Sequence, residues 1–296
     1  MPAGTYILAV SGGVDSMVLL DILSKLQAPS SKIALTVAHF DHGIRTDSHL
    51  DRQLVARKAR KYGLPFVYSN GNLGADASEE KARNARYEFL RKVQAQAGAD
   101  GIITAHHMND VLETATHNLL RGTGRRGMAS LKSVDGIIRP LLHLPKSKLK
   151  AYADANSLEW REDSTNLDTR YRRNYIRHKL LPAMQLKSPQ KFEQLRAIIK
   201  RQADLNRAID NSLQTMLHVQ PDIKTLRRHD VIIMPHNVAR ELVGEWLRKN
   251  GLREFSRLHL ERATMALKTA RPHTSLDLGK NHRIEFDKKH ATLKKA

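Results

Sequence analysis

Cysteine is absent from all 296 residues. That excludes a structural disulfide, a thiolate-held zinc or iron–sulfur centre, and a thiol nucleophile supplied by this chain. Aromatic residues are scarce at 5%, and no run of 18 consecutive apolar residues occurs. No segment is therefore suited to cross a bilayer as a helix, and no membrane partner is expected. The opening MPAGTYILAV lacks the basic start and long apolar stretch of a secretory signal, so the simplest expectation is a cytoplasmic protein. Negative charge is also in short supply. Against 30 Asp and Glu stand 50 Lys and Arg, a formal net charge of +20. Such an excess favours a polyanionic partner, nucleic acid before membrane lipid. At 41% hydrophobic residues the chain can still bury a core, which excludes collagen-like and wholly disordered classes.

The length suggests about two domains. In the first half, short apolar runs at Tyr6–Val10, Ile33–His39, Pro65–Ser69 and Gly101–Ala105 read as buried strands, with a weaker one at Gly136–Leu142. Amphipathic helical patterns lie between them near Asp15–Leu26, Asp47–Tyr62 and Ser78–Gln96. This alternation predicts an α/β domain with a Rossmann-like parallel sheet covered on both faces. In such sheets ligands sit on the loops beyond the carboxyl ends of the strands. From about Pro145 the pattern turns helical, with clear apolar faces at Gln190–Leu217, Val238–Asn250 and Leu258–Thr269. Alternation on both sides of Gly279-Lys280-Asn281 predicts a closing β-hairpin over Ser275–Leu293. Pro182 and Lys187-Ser188-Pro189 place a boundary near 187. Residues 1–187 are expected to form the catalytic domain. Residues 188–296, where positive charge is denser, are expected to form a smaller, mostly helical RNA-binding domain.

The strongest motif is Ser11-Gly12-Gly13-Val14-Asp15-Ser16. It follows the first strand and opens an amphipathic helix. The two glycines admit close backbone approach, and the helix start directs its N–H groups at an anion. Ser11 and Ser16 add hydroxyls. Asp15 cannot hold a phosphate directly and suits magnesium or loop ordering. The loop is neither a Walker A sequence nor Gly-x-Gly-x-x-Gly.

Further candidates fall on other strand-end loops. His39 through Arg45 combines imidazole, carboxylate and guanidinium groups suited to a ribose, a phosphate or a base, though a solvated loop has the same composition. After the fourth strand come His106, His107, Asp110 and Glu113. Asp110, Glu113 and His117 share a helical face. Carboxylates there suit magnesium, a substrate amine or its proton, or simply a helix dipole. Arg121-Gly122-Thr123-Gly124-Arg125-Arg126-Gly127 is basic and glycine-rich. Arg170, Arg172, Arg173, Arg177 and Lys179 interleave with Tyr171 and Tyr175. Both stretches suit phosphate contacts and stacking, or a solvated surface.

In this setting SGGVDS resembles the PP-loop of the ATP-pyrophosphatase superfamily. His39–Arg45, Glu80 with Ala85-Arg86-Tyr87, Thr104–His107, Arg121–Gly124, Arg139-Pro140-Leu141-Leu142, Glu162–Asn166 and Arg173–Arg177 narrow the resemblance to the tRNA(Ile)-lysidine synthetase family. The order and spacing match over residues 6–185. That family has an acidic residue where Asn109 stands and a glutamine where Val111 stands. The resemblance implies a PP-loop domain using ATP and Mg2+ to join L-lysine to C2 of the wobble cytidine of an isoleucine tRNA with a CAU anticodon. A homodimer is among the arrangements it allows. Carried onto this chain, it implies catalytic roles for Asp15, Asp41, Asp110 and Glu113. Nucleotide contacts fall to Ser11, Gly12, Gly13, Val14, Asp15, Ser16 and His39. Magnesium falls to Asp15 and Asp110, and RNA contacts to Arg121, Arg125, Arg126, Arg173 and Arg177.

Overall fold

The computed structural model describes residues 2–27, 32–43, 47–74, 77–133, 136–162, 172–252, 255–279 and 281–295. Ile44 and Arg45 of the second strand's loop, Asp163–Asn166, and Arg170 with Tyr171 lie outside them. Two compact units form, Met1–Ala203 and Asp204–Ala296.

In the first unit, strands β1 (Gly4–Ala9), β2 (Ile33–Asp41), β3 (Phe66–Asn70), β4 (Gly101–Ile103) and β5 (Ile137–Ile138) form a parallel sheet in the order β3-β2-β1-β4-β5. Successive strand side chains point to opposite faces, and here both faces are buried. Tyr6 and Leu8 join the core built with helices α1 (Val14–Lys25), α2 (Ser48–Lys61) and α6 (Lys146–Ala155). Ile7 joins Ala38, Ile102 and the helix α3 (Glu79–Gln96) residues Leu90 and Val93 on the other side. The expected doubly covered parallel sheet is present. Its fifth strand is shorter than the run Gly136–Leu142 suggested. Pro140 has no N–H to give a neighbour, and the Arg139 guanidinium turns to the Lys132 carbonyl and, at 3.3 Å, to His106 Nδ1.

One polar group interrupts the apolar face of α1. Asp21 is buried, and its carboxylate accepts from Tyr62 Oη at 2.6 Å, Tyr152 Oη at 2.7 Å and Lys25 Nζ at 2.7 Å. Burial alone would raise its pKa. The three donors, Lys25 foremost, outweigh burial and hold the carboxyl below its ordinary range. The knot fastens α1 to the ends of α2 and α6, which fixes the direction in which the start of α1 points.

Helix α4 (Met108–Leu119) begins just beyond β4. Its Leu112 and Ala115 pack with Ile176, which follows α7 (Arg172–Tyr175), with Leu181 of α8 (Leu181–Lys187), and with Phe192 and Ile199. Phe192 and Ile199 belong to the long helix α9 (Pro189–His218). The first turns of that helix thus complete the first unit's packing, and the division at 203/204 falls inside the helix, later than the boundary near 187.

The second unit combines α10 (Arg228–Ile233), α11 (His236–Lys249) and α12 (Arg257–Thr269) with an antiparallel sheet. Its order is β6-β9-β8-β7, from Thr225–Arg227, His290–Lys295, His282–Phe286 and Thr274–Gly279. The expected single hairpin over Ser275–Leu293 is therefore part of a larger sheet. A second turn follows β8, where Asp287 Oδ1 accepts the N–H groups of Lys289 at 2.6 Å and His290 at 2.7 Å. An aspartate does there what glycine commonly does, so the usual turn signal is missing. Among the described residues no helix is long and apolar enough to cross a membrane.

Candidate active site

The strand order reverses its winding between β1 and β4. The loops after those two strands diverge and leave a crevice at the carboxyl edge, where open α/β sheets bind ligands. Both loops carry the strongest sequence motifs.

After β1 the chain turns through Ser11 and Gly12, whose φ of +96° is left-handed and suits only glycine. Ser16 is buried and organises the turn. Its Oγ donates to the Gly13 carbonyl at 2.9 Å and accepts the Ser11 N–H at 3.2 Å, with Ser11 Oγ also 3.2 Å away. Its hydroxyl proton is thereby used inside the loop, so in the Ser11–Ser16 contact the Ser11 O–H is the donor. The Gly12 carbonyl accepts the Arg161 N–H at 3.0 Å. The Arg161 guanidinium donates to Asp51 at 2.7 Å and Asp47 at 2.6 Å. A Cβ added at Gly12 would stand 3.2 Å from the Asp51 Cβ. Arg161 and Asp51 brace the loop from behind, and sequence reasoning missed both. Asp51 did leave a signal, a carboxylate on the buried side of an amphipathic helix.

His39 also belongs to this loop's surroundings. Its Nδ1 lies 2.9 Å from the Val10 carbonyl. A carbonyl only accepts, so Nδ1 carries the proton and Nε2 keeps its lone pair. That Nε2 is buried without a hydrogen-bond partner among the described residues. Burial, despite the Val10 carbonyl and nearby Asp41, pushes the ring's pKa down, and the ring stays neutral. Asp41 ends β2, and its Oδ1 accepts the Gly43 N–H at 2.9 Å, shaping the next loop.

The β4–α4 turn meets the phosphate loop through His107. Its Nε2 is 3.4 Å from Asp15 Oδ2 and its Nδ1 is 3.5 Å from Asp110 Oδ2, which also accepts the His107 N–H at 2.9 Å. Burial opposes protonation of this ring, but Asp15 and Asp110 outweigh it and raise its pKa. One turn on, buried Glu113 takes both arms of Arg177, at 2.9 Å and 2.8 Å, while Arg177 reaches Asp110 at 3.4 Å. Asp15, Asp110 and Glu113, three of the four expected catalytic residues, are thus gathered.

Arg177 belongs to that acid set. The resemblance assigned it to RNA phosphates, but a bidentate pair with a buried carboxylate already satisfies its guanidinium. Arg173 donates to Glu79 at 2.7 Å and to Thr114 at 3.1 Å. Arg121, Arg125 and Arg126 lie on the turn and short helix α5 (Arg125–Met128) beyond the far end of α4. Asn109 occupies the family's acidic position, and its Oδ1 accepts the Lys146 N–H at 3.0 Å at the start of α6. Val111 packs against the apolar cluster on α4. Both departures serve packing and capping, outside the acid set.

Residues for a magnesium ion are unequal in fitness. Asp15 Oδ1 is buried and without a partner among the described residues, as a ligand awaiting a cation would be. Asp110 has both oxygens engaged. No group of three or more acidic or histidine residues suited to a metal occurs among the described residues.

A glycine-bearing anion loop at a sheet's switch point, facing a buried acid set, defines a nucleotide-handling α/β domain. The chain belongs to the PP-loop domain family, whose family model matches residues 1–184. It is similar to the tRNA(Ile)-lysidine synthase of Thermotoga maritima, 35% identical over 255 residues, which cover 83% of this chain and 61% of that protein. The tRNA(Ile)-lysidine synthase of Geobacter sulfurreducens is 34% identical over 247 residues, 77% of this chain and 52% of that protein. The chain thus spans 52–61% of the length of these curated relatives. Among solved structures, the U34-tRNA thiolase NcsA from Methanococcus maripaludis, with its 4Fe-4S cluster, shares the fold. Its TM-score is 0.56 at 15% identity, covering 69% of this chain and 74% of that one.

Proposed function

We propose that this protein is an ATP-dependent ligase that joins L-lysine to C2 of the wobble cytidine of an isoleucine tRNA with a CAU anticodon. The observation that carries the reading is the Asp15–His107–Asp110 junction between phosphate loop and β4–α4 turn. It sets a nucleotide-activating loop against carboxylates suited to an amine. The net charge of +20 supports an RNA substrate, and the cytoplasm is where such a substrate is met.

In the first step the cytosine O2 attacks the α-phosphorus of ATP and pyrophosphate leaves. The loop amides receive the charge that builds on the phosphates, joined by the Ser11 O–H once it turns from Ser16. Asp15 would hold Mg2+, which supplies further charge neutralisation on the phosphate oxygens. In the second step the lysine ε-amine attacks C2, and AMP departs with the O2 oxygen. Asp110 and Glu113 draw the incoming ammonium into the crevice, and a carboxylate takes the proton it must lose before attack. Sulfur transfer, the chemistry named for the NcsA neighbour, lacks support here because this chain has no cysteine to hold a cluster.

ATP labelled at its α- and γ-phosphates tests the first step. With the tRNA present and lysine omitted, the account predicts labelled pyrophosphate and AMP-bearing RNA. Asp15→Ala should lower pyrophosphate release about a hundredfold or more. Release of ADP and inorganic phosphate, or near-normal release by Asp15→Ala, would contradict the assignment.

A further inference from the structure

Helix α4 carries the acid set at its buried start and ends in solvent on two leucines. Asp110, Glu113, His117 and Leu120 follow one another at helical spacing and share one side of the helix. Exposure climbs along that side. Glu113 is buried, His117 is half-buried and Leu120 is 61% exposed, with Leu119 beside it at 39%. From Glu113 to Leu120 the helix rises about 10 Å. A built turn holds the leucines outward. The Leu120 N–H donates to the Thr116 carbonyl at 3.0 Å, the Arg121 N–H to Asn118 at 3.1 Å and the Gly122 N–H to Leu119 at 3.0 Å. Gly122 then leaves the helix with a left-handed φ of +72°. The Asn118 side chain donates to the Gly127 carbonyl at 2.8 Å and to Ser130 Oγ at 3.1 Å, which ties α5 back against α4. A side chain at Gly127 would collide with Thr123.

Neither leucine joins an apolar cluster of the described residues. The residues that follow them are basic. Arg121 is exposed, and Arg125 and Arg126 open α5. Apolar side chains within a basic rim suit a partner that offers flat apolar faces and negative charge together, and single-stranded RNA does both. The proposed reaction also creates such a face. C2 of a cytosine comes within reach of the acid set only when the base leaves the stack of its loop, and its departure uncovers the base beside it. An apolar side chain on the pocket's rim takes the place of the departed base.

We propose that Leu120, with Leu119, is a stacking rim for the nucleotide beside the target cytidine, and that Arg121 meets the backbone phosphate there. This rests on the ligase reading and extends it: it names the part of the RNA that the open end of α4 receives. His117, between Glu113 and Leu120 on the same side, lies on the path from pocket to rim.

Direct binding of a stem-loop RNA with the CAU anticodon to the whole protein tests the rim. In two further RNAs the nucleotide on either side of the target cytidine is made abasic in turn. Leu120→Ser should weaken binding of the intact stem-loop about tenfold. Its thermal unfolding midpoint should stay unchanged, because the side chain faces solvent. One of the two abasic RNAs should lose about as much on the unaltered protein, and Leu120→Ser should weaken that RNA no further. Leu120→Phe, which restores a stacking surface, should bind the intact stem-loop as tightly as the unaltered protein. Additive losses at both positions, or unaltered RNA binding by Leu120→Ser, overturn the rim while the ligase reading stands. Unaltered RNA binding with a changed mass in sedimentation would make the leucines an interface between copies of this chain instead. A higher KM for lysine with RNA binding intact would show that Leu120 acts on the acid set through α4, and the rim falls in that case too. A protein that releases no tRNA-dependent pyrophosphate overturns the ligase reading, and this proposal with it.

Discussion

Gly12→Ala should reduce tRNA-dependent ATP cleavage about a hundredfold or more, the loss expected when reacting groups shift by about an ångström. The reason is local and double. At φ +96° any side chain is strained by roughly 1–3 kcal/mol. The new Cβ would also sit 3.2 Å from Asp51 Cβ and 3.6 Å from its Cα, atoms of the brace that anchors the loop through Arg161. The loop relieves the strain by moving its amides, and the phosphate loses its aligned donors. Gly63→Ala is the control. Gly63 has φ +67° with nothing within 4 Å of an added Cβ. It should cost stability alone, with kcat unchanged. Equal losses of activity in the two variants would show that strain, and not loop placement, is at issue.

Glu113→Ala should lower stability by about 2 kcal/mol and abolish lysine transfer. Removing one partner of a buried ion pair costs about 3–5 kcal/mol, and the figure is reduced because Arg177 keeps 29% side-chain exposure. Among the described residues, Arg177 would retain its 3.4 Å contact to Asp110 alone. Adding Arg177→Met removes the stranded cation, and thermal unfolding should recover most of the lost stability. Lysine transfer should stay lost in the double variant, while pyrophosphate release survives. Recovery of transfer along with stability would mean that Glu113 supports the fold and does not meet the amine.

The fold was legible where one periodicity ruled. The apolar runs of β1 and β2 and the phosphate loop between β1 and α1 stand out because each combines pattern, position and glycine chemistry. The reading weakened where a short element is held by tertiary contacts. Strand β6 is three residues long, pairs with β9 and carries no pattern of its own. The turn after β8 rests on Asp287 and has no glycine to mark it.

The candidate site was legible as residue types and less so as partnerships. Asp15, Asp110 and Glu113 were expected near ligand-bearing loops, and they meet there. Arg177 was expected on RNA, because a sequence shows a basic stretch without showing the acid 64 positions away that neutralises it. Arg161 and Asp51 act across 110 positions, a separation that no local spacing reveals. His106 takes a bond from Arg139 after β5, whereas His107 lies between Asp15 and Asp110, so the doublet reads as a pair in sequence and as two different groups in space.

The most direct test of the central claim is transfer of labelled lysine. The protein is incubated with ATP, Mg2+, carbon-labelled lysine and purified tRNA, and the RNA is digested to nucleosides. The account predicts label in one modified cytidine at the wobble position of the isoleucine tRNA with a CAU anticodon, with one AMP formed per lysine joined. ATP cleavage with no lysine in the RNA, or label that hydrolyses from the RNA terminus as an ester, would contradict it.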